Sequence, residues 1–252
     1  MKLLAIDAAL DDASVAAWEG DGEPAAGSVS EAVCTERAAA SRELLPAIDR
    51  LLALRGWSIS DLDGVVLTLG PGSFTGLRIG VSLVKGLMSA RPMRVAAVGT
   101  LDAVAVASGR AGSVAAVLDA RRGEVYVRLF RCERGGAEPY GDETLSPPDV
   151  WAALLPGDAD VSCVGPGAVH HADALQTALG SRVTIAQEPV MTVAAAALHL
   201  GVRRLASGQD TPTEELLPRY VRRSTAEANL ERGVLGSRRR RMLGWDPARG
   251  RT

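Results

Sequence analysis

The chain has 252 residues, of which 47% are hydrophobic and 23% charged, with a formal net charge of −2. That is enough apolar material for a sizeable core in one large or two small domains. No run approaches the roughly 20 consecutive apolar residues of a membrane helix, and Met1 to Asp7 is too short for a secretory leader, so a cytoplasmic protein without membrane association is expected. Leu3-Leu4-Ala5-Ile6, Ala13 to Trp18 and Gly27 to Cys34 read as three strands, punctuated by Asp11-Asp12 and by Glu19 to Gly22. Such short runs between turn residues predict an antiparallel meander. The period then changes. Leu44, Leu45, Ile48, Leu51 and Leu52 recur at helical spacing over about 38–54, and Gly56 stops the helix. Gly64 to Leu69 reads as a buried strand, followed by Gly70-Pro71-Gly72 and a helix to about Ala90. Val95 to Val98 is a further strand and Leu101 to Ala107 a further helix. Strands followed by alternating helix and strand predict a mixed sheet covered by helices.

After Gly109 to Gly112 the theme restarts. Val114 to Leu118 and Val125 to Phe130 flank Asp119-Ala120-Arg121-Arg122-Gly123 and read as a hairpin. Helix or strand candidates follow at about 148–155, 161–164, 170–179 and 192–206. The expected domains are therefore 1–108 and 109–224, with 225–252 as a basic tail. From Arg219 onward there are 10 basic and 3 acidic residues, a net +7, which leaves −9 on residues 1–218. The Arg238 to Arg241 run could contact nucleic-acid phosphates or stand as a solvated tail.

The motifs exclude several chemistries. Gly70-Pro71-Gly72-Ser73-Phe74-Thr75-Gly76-Leu77-Arg78-Ile79-Gly80 lies between strand and helix, where helix N-terminal amides attract anions. No Lys-Ser/Thr pair follows for a Walker A loop, the dinucleotide fingerprint is one residue too long, and Pro71 removes an amide. Gly72, Gly76 and Gly80 instead recur every four residues as one small-residue ridge, beside an apolar face of Leu77, Val81 and Val84. Such a helix is either central to the core or shared with a partner. His170, His171 and His199 include no H-E-x-x-H pair, and there is no G-x-S-x-G elbow. Three widely spaced cysteines encode neither a disulfide framework nor a zinc knuckle. Asp7, ending the first strand, is either a cleft carboxylate or a turn residue.

Taken together, Leu3 to Asp7, Ser41 to Pro46, Gly70 to Gly80, Asp119 to Tyr126 and Pro218 to Arg222 resemble the TsaB (YeaZ) family, in the right order over residues 1 to about 223. The resemblance implies an α/β, acetate-kinase/Hsp70/actin-like (ASKHA) fold of two related lobes, with mixed sheets flanked by helices. It implies a non-catalytic scaffold subunit supporting threonylcarbamoylation of adenosine 37 in bacterial tRNA. It further implies pairing with a TsaD paralogue that holds the metal, joined by the ATPase TsaE, with no cofactor in this chain. A phosphotransferase of the same fold is the alternative, and a peptidase a third reading without chemical support. Asp7-Ala8-Ala9-Leu10 lacks the glycine and hydroxyl of a phosphate-gripping turn. Ala8 and Ala40 stand where relatives commonly carry Thr or Ser and His.

The partner surface expected from this resemblance is a four-helix bundle formed by two helices of each chain. Leu44, Leu45 and Ile48 would contribute from the first helix. Gly72, Phe74, Thr75, Gly76, Leu77, Arg78, Gly80, Val81 and Val84 would contribute from the second. The same faces would serve a homodimer of the isolated chain, and tRNA would be reached through the complex, with the basic tail contributing.

Overall fold

The computed structural model describes residues 1–34, 40–133, 136–155 and 160–219. The tail from 220, residues 38–39 of the first predicted helix and the Ala40 side chain lie outside what is described.

The first sheet contains β1 (Lys2–Asp7), β2 (Ser14–Glu19), β3 (Ser28–Val33), β4 (Gly64–Thr68) and β5 (Arg94–Val98), in the order β3-β2-β1-β4-β5. β1, β2 and β3 form the antiparallel meander, with Leu4 opposite Ala17 and Val15 opposite Ala32. β4 runs parallel to β1, and β5 parallel to β4. The central strands are apolar on both faces because helices cover both. Leu4, Ile6, Val65 and Leu67 point to one side, where α1 (Ala40–Leu54) supplies Leu44, Ile48 and Leu51 and α2 (Phe74–Ala90) supplies Val81 and Val84. Leu3, Ala5 and Val66 point to the other side.

The second sheet is built from β6 (Gly112–Asp119), β7 (Val125–Glu133), β8 (Gly136–Pro139), β10 (Val161–Val164) and β11 (Val183–Ile185), ordered β11-β10-β6-β7-β8; β9 (Thr144–Ser146) also pairs β7. β6, β7 and β8 are antiparallel, while β10 and β11 run parallel to β6. Read from the other edge, this is the order and sense of the first sheet. The hairpin predicted across 119–123 is the β6–β7 connection. The candidate at 170–179 resolves into α5 (Pro166–His170) and α6 (Ala172–Leu179), while 148–155 and 192–206 become α4 (Pro148–Ala153) and α7 (Val193–Ala206).

Two helices tie the sheets together. α3 (Thr100–Ala107) turns Ala103, Val106 and Ala107 toward the first sheet and Leu101, Val104 and Ala105 toward the second. α7 follows the second sheet in sequence but packs Ala194, Leu198, Val202 and Leu205 on the first. Its Thr192 cap accepts from the Ala195 amide at 3.1 Å, and Arg203 and Arg204 occupy the last turn, where cations favour the helix dipole. The chain then runs along the β5 edge as a strap. Asp210 receives the Arg94 guanidinium at 2.7 Å, Thr211 donates its amide to Val95, and Leu216 is fully buried beside α1 and α2. Covering an exposed strand edge in this way removes a site for unwanted pairing.

Candidate functional site

Both sheets present the same turn at the end of their central strand. Asp7-Ala8 ends β1 and Asp119-Ala120 ends β6, each carboxylate accepting from the amide two residues on, at 3.2 Å from Ala9 and 2.9 Å from Arg121. Each also faces a Gly-Pro-Gly loop: Gly70-Pro71-Gly72 after β4 and Gly165-Pro166-Gly167 after β10. The first glycine of each loop is left-handed, at φ of 113° and 95°. A Cβ on Gly72 would stand 2.4 Å from the Ala9 oxygen, and one on Gly167 2.5 Å from the Leu118 carbonyl carbon. The loop after β4 thus presses against the turn after β1, and the loop after β10 against the end of β6.

In the first half that approach fills the turn. Ser73 donates its amide to the Ala9 carbonyl at 2.7 Å and caps α2, its hydroxyl accepting from Gly76 at 3.3 Å. A Cβ on Gly76 would lie 1.8 Å from the Ala8 oxygen. Carbonyl oxygens therefore point at the start of α2, where a phosphate would need free amides. Asp7 itself is fully buried. Thr68 donates its hydroxyl to Oδ1 at 2.5 Å, and Oδ2 has no hydrogen-bond partner among the described residues. Burial outweighs the bonds from Thr68 and Ala9 and pushes the carboxyl from 3.8 up to about 6. Asp7 is thus the turn residue of the two readings, not a cleft carboxylate: it is buried and accepts the amide two residues on.

The second half uses its turn differently. Arg121 and Arg122 sit at φ of 63° and 60°, a conformation costly for residues with a Cβ. The Arg121 guanidinium bridges Asp11 at 3.0 Å and Asp119 at 3.5 Å, linking the β1–β2 and β6–β7 turns. His171 lies 3.4 Å from Asp119 and edge-on to His170.

The residues expected at a partner surface divide sharply. Leu44, Ile48, Leu77, Val81 and Val84 are buried in this chain's own core, as are Gly76 and Gly80. The glycine ridge is used inside the chain: Gly72 and Gly76 meet the Ala8–Ala9 turn, and Gly80 meets Leu67. Close approach of a partner helix is therefore not what these glycines serve. Leu45 (48% exposed), Phe74 (39%), Thr75 and Arg78 do face outward, with the Arg78 guanidinium over the Phe74 ring at 5.4 Å. The sequence reading did not identify the paired Asp-Ala turns and Gly-Pro-Gly loops, although both strings recur in it.

Two mixed sheets of one topology, flanked by helices, form an actin-like, ASKHA-type fold. The model of the family described as "TsaD: tRNA N6-adenosine threonylcarbamoyltransferase" matches residues 35–229. The tRNA threonylcarbamoyladenosine biosynthesis protein TsaB of Escherichia coli K12 is 29% identical over 239 residues, covering 91% of this chain and 98% of that protein. Its Bacillus subtilis 168 counterpart is 31% identical over 188 residues, covering 73% and 80%. The solved YeaZ of Pseudomonas aeruginosa superposes with a TM-score of 0.71 at 30% identity, over 87% of this chain and 99% of that one. The chain belongs to the TsaB (YeaZ) group of the threonylcarbamoyltransferase family. Among the described residues, no helix is long and apolar enough to cross a membrane.

Proposed function

We propose that this chain is a non-catalytic, cytoplasmic subunit in the biosynthesis of N6-threonylcarbamoyladenosine in tRNA, pairing with and supporting a TsaD paralogue. TsaE joins the pair, and ATP and metal belong to those partners. The observation that carries this reading is the filled Asp7 turn. A phosphotransferase of this fold would need that turn open, with amides and hydroxyls facing a phosphate; here the Ala8 and Ala9 carbonyls abut α2. The test is threonylcarbamoyl incorporation into tRNA by this chain alone, by the TsaD paralogue with TsaE, and by all three. No product above control is expected from the chain alone, and at least a tenfold gain on its addition to the others. Steady ATP turnover or tRNA modification by the purified chain alone would overturn the reading in favour of a phosphotransferase.

The partner surface in this reading is the outer side of α1 and α2, around Leu45, Phe74, Thr75 and Arg78, which also serves any homodimer. Exposed aliphatic and aromatic side chains beside an arginine are the composition of interface anchors. Leu45→Asp is expected to weaken the pair with the TsaD paralogue by tenfold or more in calorimetry, about 1.4 kcal/mol. Its thermal midpoint should stay within a few degrees, because the side chain is half exposed in the isolated chain. Unchanged affinity would move the interface off α1.

A further inference from the structure

Away from Asp7, the carboxyl ends of β4 and β5 open into a cavity of about 470 Å³. Parallel strands leave ligand crevices at this end, where the chain turns away from the sheet. Three guanidiniums line it, Arg128 from β7, Arg204 from α7 and Arg219 from the strap, with Asp102 of α3 beside them. The rest of the wall is largely apolar, with Leu69, Val98 and Leu200.

Each guanidinium is held from behind. Arg128 pairs with Asp102 at 3.6 Å, and both side chains are three-quarters buried. Arg204 donates to the Ala97 carbonyl, and Arg219 reaches Glu143 at 3.1 Å. Glu143 retains only 7% side-chain exposure, and its Oε1 has no hydrogen-bond partner among the described residues. Burial raises its pKa while Arg219 and Arg128 oppose the rise. A buried carboxylate with one oxygen unsatisfied is costly for a fold to keep. Kept here, it pairs with a half-exposed arginine at the cavity wall. Among the described residues, three cations against Asp102 and Glu143 leave a local charge of +1. Guanidinium pairs bind planar oxyanions through parallel N–H bonds, and the apolar wall leaves area for a short hydrocarbon body.

We infer that this cavity is a binding site for a small organic carboxylate, a monoanion with a short aliphatic body. It is separate from the Asp7 turn and from the outer side of α1 and α2. Ligand-observed NMR on the full chain tests it, with butyrate, its neutral isostere butyramide, and inorganic phosphate as probes. Butyrate should bind saturably in the millimolar range expected for so small a ligand, with butyramide and phosphate each at least tenfold weaker. Arg128→Gln and Arg204→Gln should each weaken butyrate about tenfold, whereas Arg203→Gln, on α7 but outside the cavity, should leave it unchanged. Arg204 is exposed, so its variant keeps the test sound if Arg128→Gln fails to fold. The inference is overturned by no saturable butyrate binding up to about 20 mM, by butyramide or phosphate binding as well as butyrate, or by binding that survives Arg204→Gln.

Discussion

Gly76→Ala is expected to destabilise the protein by about 3 kcal/mol or more, while Gly86→Ala, ten residues on in the same helix, should stabilise it by about 1 kcal/mol. Both positions are helical, so alanine's intrinsic preference favours both substitutions equally. Their surroundings decide the sign. Among the described residues, a Cβ at Gly86 meets nothing within 4 Å, and the gain in helix propensity is realised in full. A Cβ at Gly76 falls 1.8 Å from the Ala8 carbonyl oxygen, where carbon and oxygen need about 3.3 Å. The obstacle is backbone at the end of the central strand, fixed by the Ser73–Ala9 and Thr68–Asp7 hydrogen bonds, so it has no rotamer to escape into. Either α2 lifts from the sheet and opens the contacts of Val81 and Val84, or β1 shifts. Thermal unfolding reads both outcomes. For a folded unit of this size each kcal/mol moves the midpoint by roughly 2–4 °C, so Gly76→Ala should fall by about 6–12 °C. A midpoint for Gly76→Ala equal to that of Gly86→Ala would mean that α2 does not pack on the Ala8 turn. A bulky residue at Gly76 is consequently a poor probe of partner binding, because it attacks the chain's own core first.

This contrast marks how far the sequence could be read. Glycines every four residues identify which side of α2 is small, because helical geometry fixes the face. They do not say whether a partner helix or the chain's own turn lies against it. The same limit applies to Leu44, Ile48 and Val84, whose spacing marks an apolar face that a core and an interface use alike. The first sheet was legible from its punctuation: Leu3 to Ile6, Ala13 to Trp18 and Gly64 to Leu69 are apolar runs bounded by turn residues. β8, β9 and β11 were not, since Gly136–Pro139, Thr144–Ser146 and Val183–Ile185 are three or four residues long and only half-buried or exposed, without a pattern to read. The duplicated topology does leave a trace in Asp-Ala and Gly-Pro-Gly. Those strings are 63 residues apart in one half and 46 in the other, so no fixed period exposes them. The return of α7 to the first sheet had no signal at all, because an alanine-rich face suits either sheet.

The buried carboxyl at the end of β1 makes stability depend on pH in a direction opposite to that of a salt-bridged aspartate. Asp7 is pushed from 3.8 to about 6, so between those values the folded state holds a proton that the unfolded state has released. Stability is then fully present below about pH 4, falls as pH rises through 6, and is level above. The span is about 3 kcal/mol, from two pH units at 1.36 kcal/mol each. Glu143 is raised as well and adds loss in the same direction, so the Asp7 contribution must be read as a difference between two proteins. Asp7→Asn supplies the second. Its Oδ1 can keep the bonds from Thr68 and Ala9, and its amide takes the place of an oxygen that already lacks a partner. Urea unfolding of both proteins at pH 4.5, 6 and 7.5 should show Asp7→Asn gaining about 2 kcal/mol on the parent across that range. A constant difference at all three values would mean that Asp7 stays ionised in the fold and that some donor reaches Oδ2. A gain that follows the predicted slope would show instead that the central strand ends on a neutral carboxylic acid at low pH. Near neutrality the same residue becomes a buried, half-satisfied charge, tolerable because the turn around it is locked against α2.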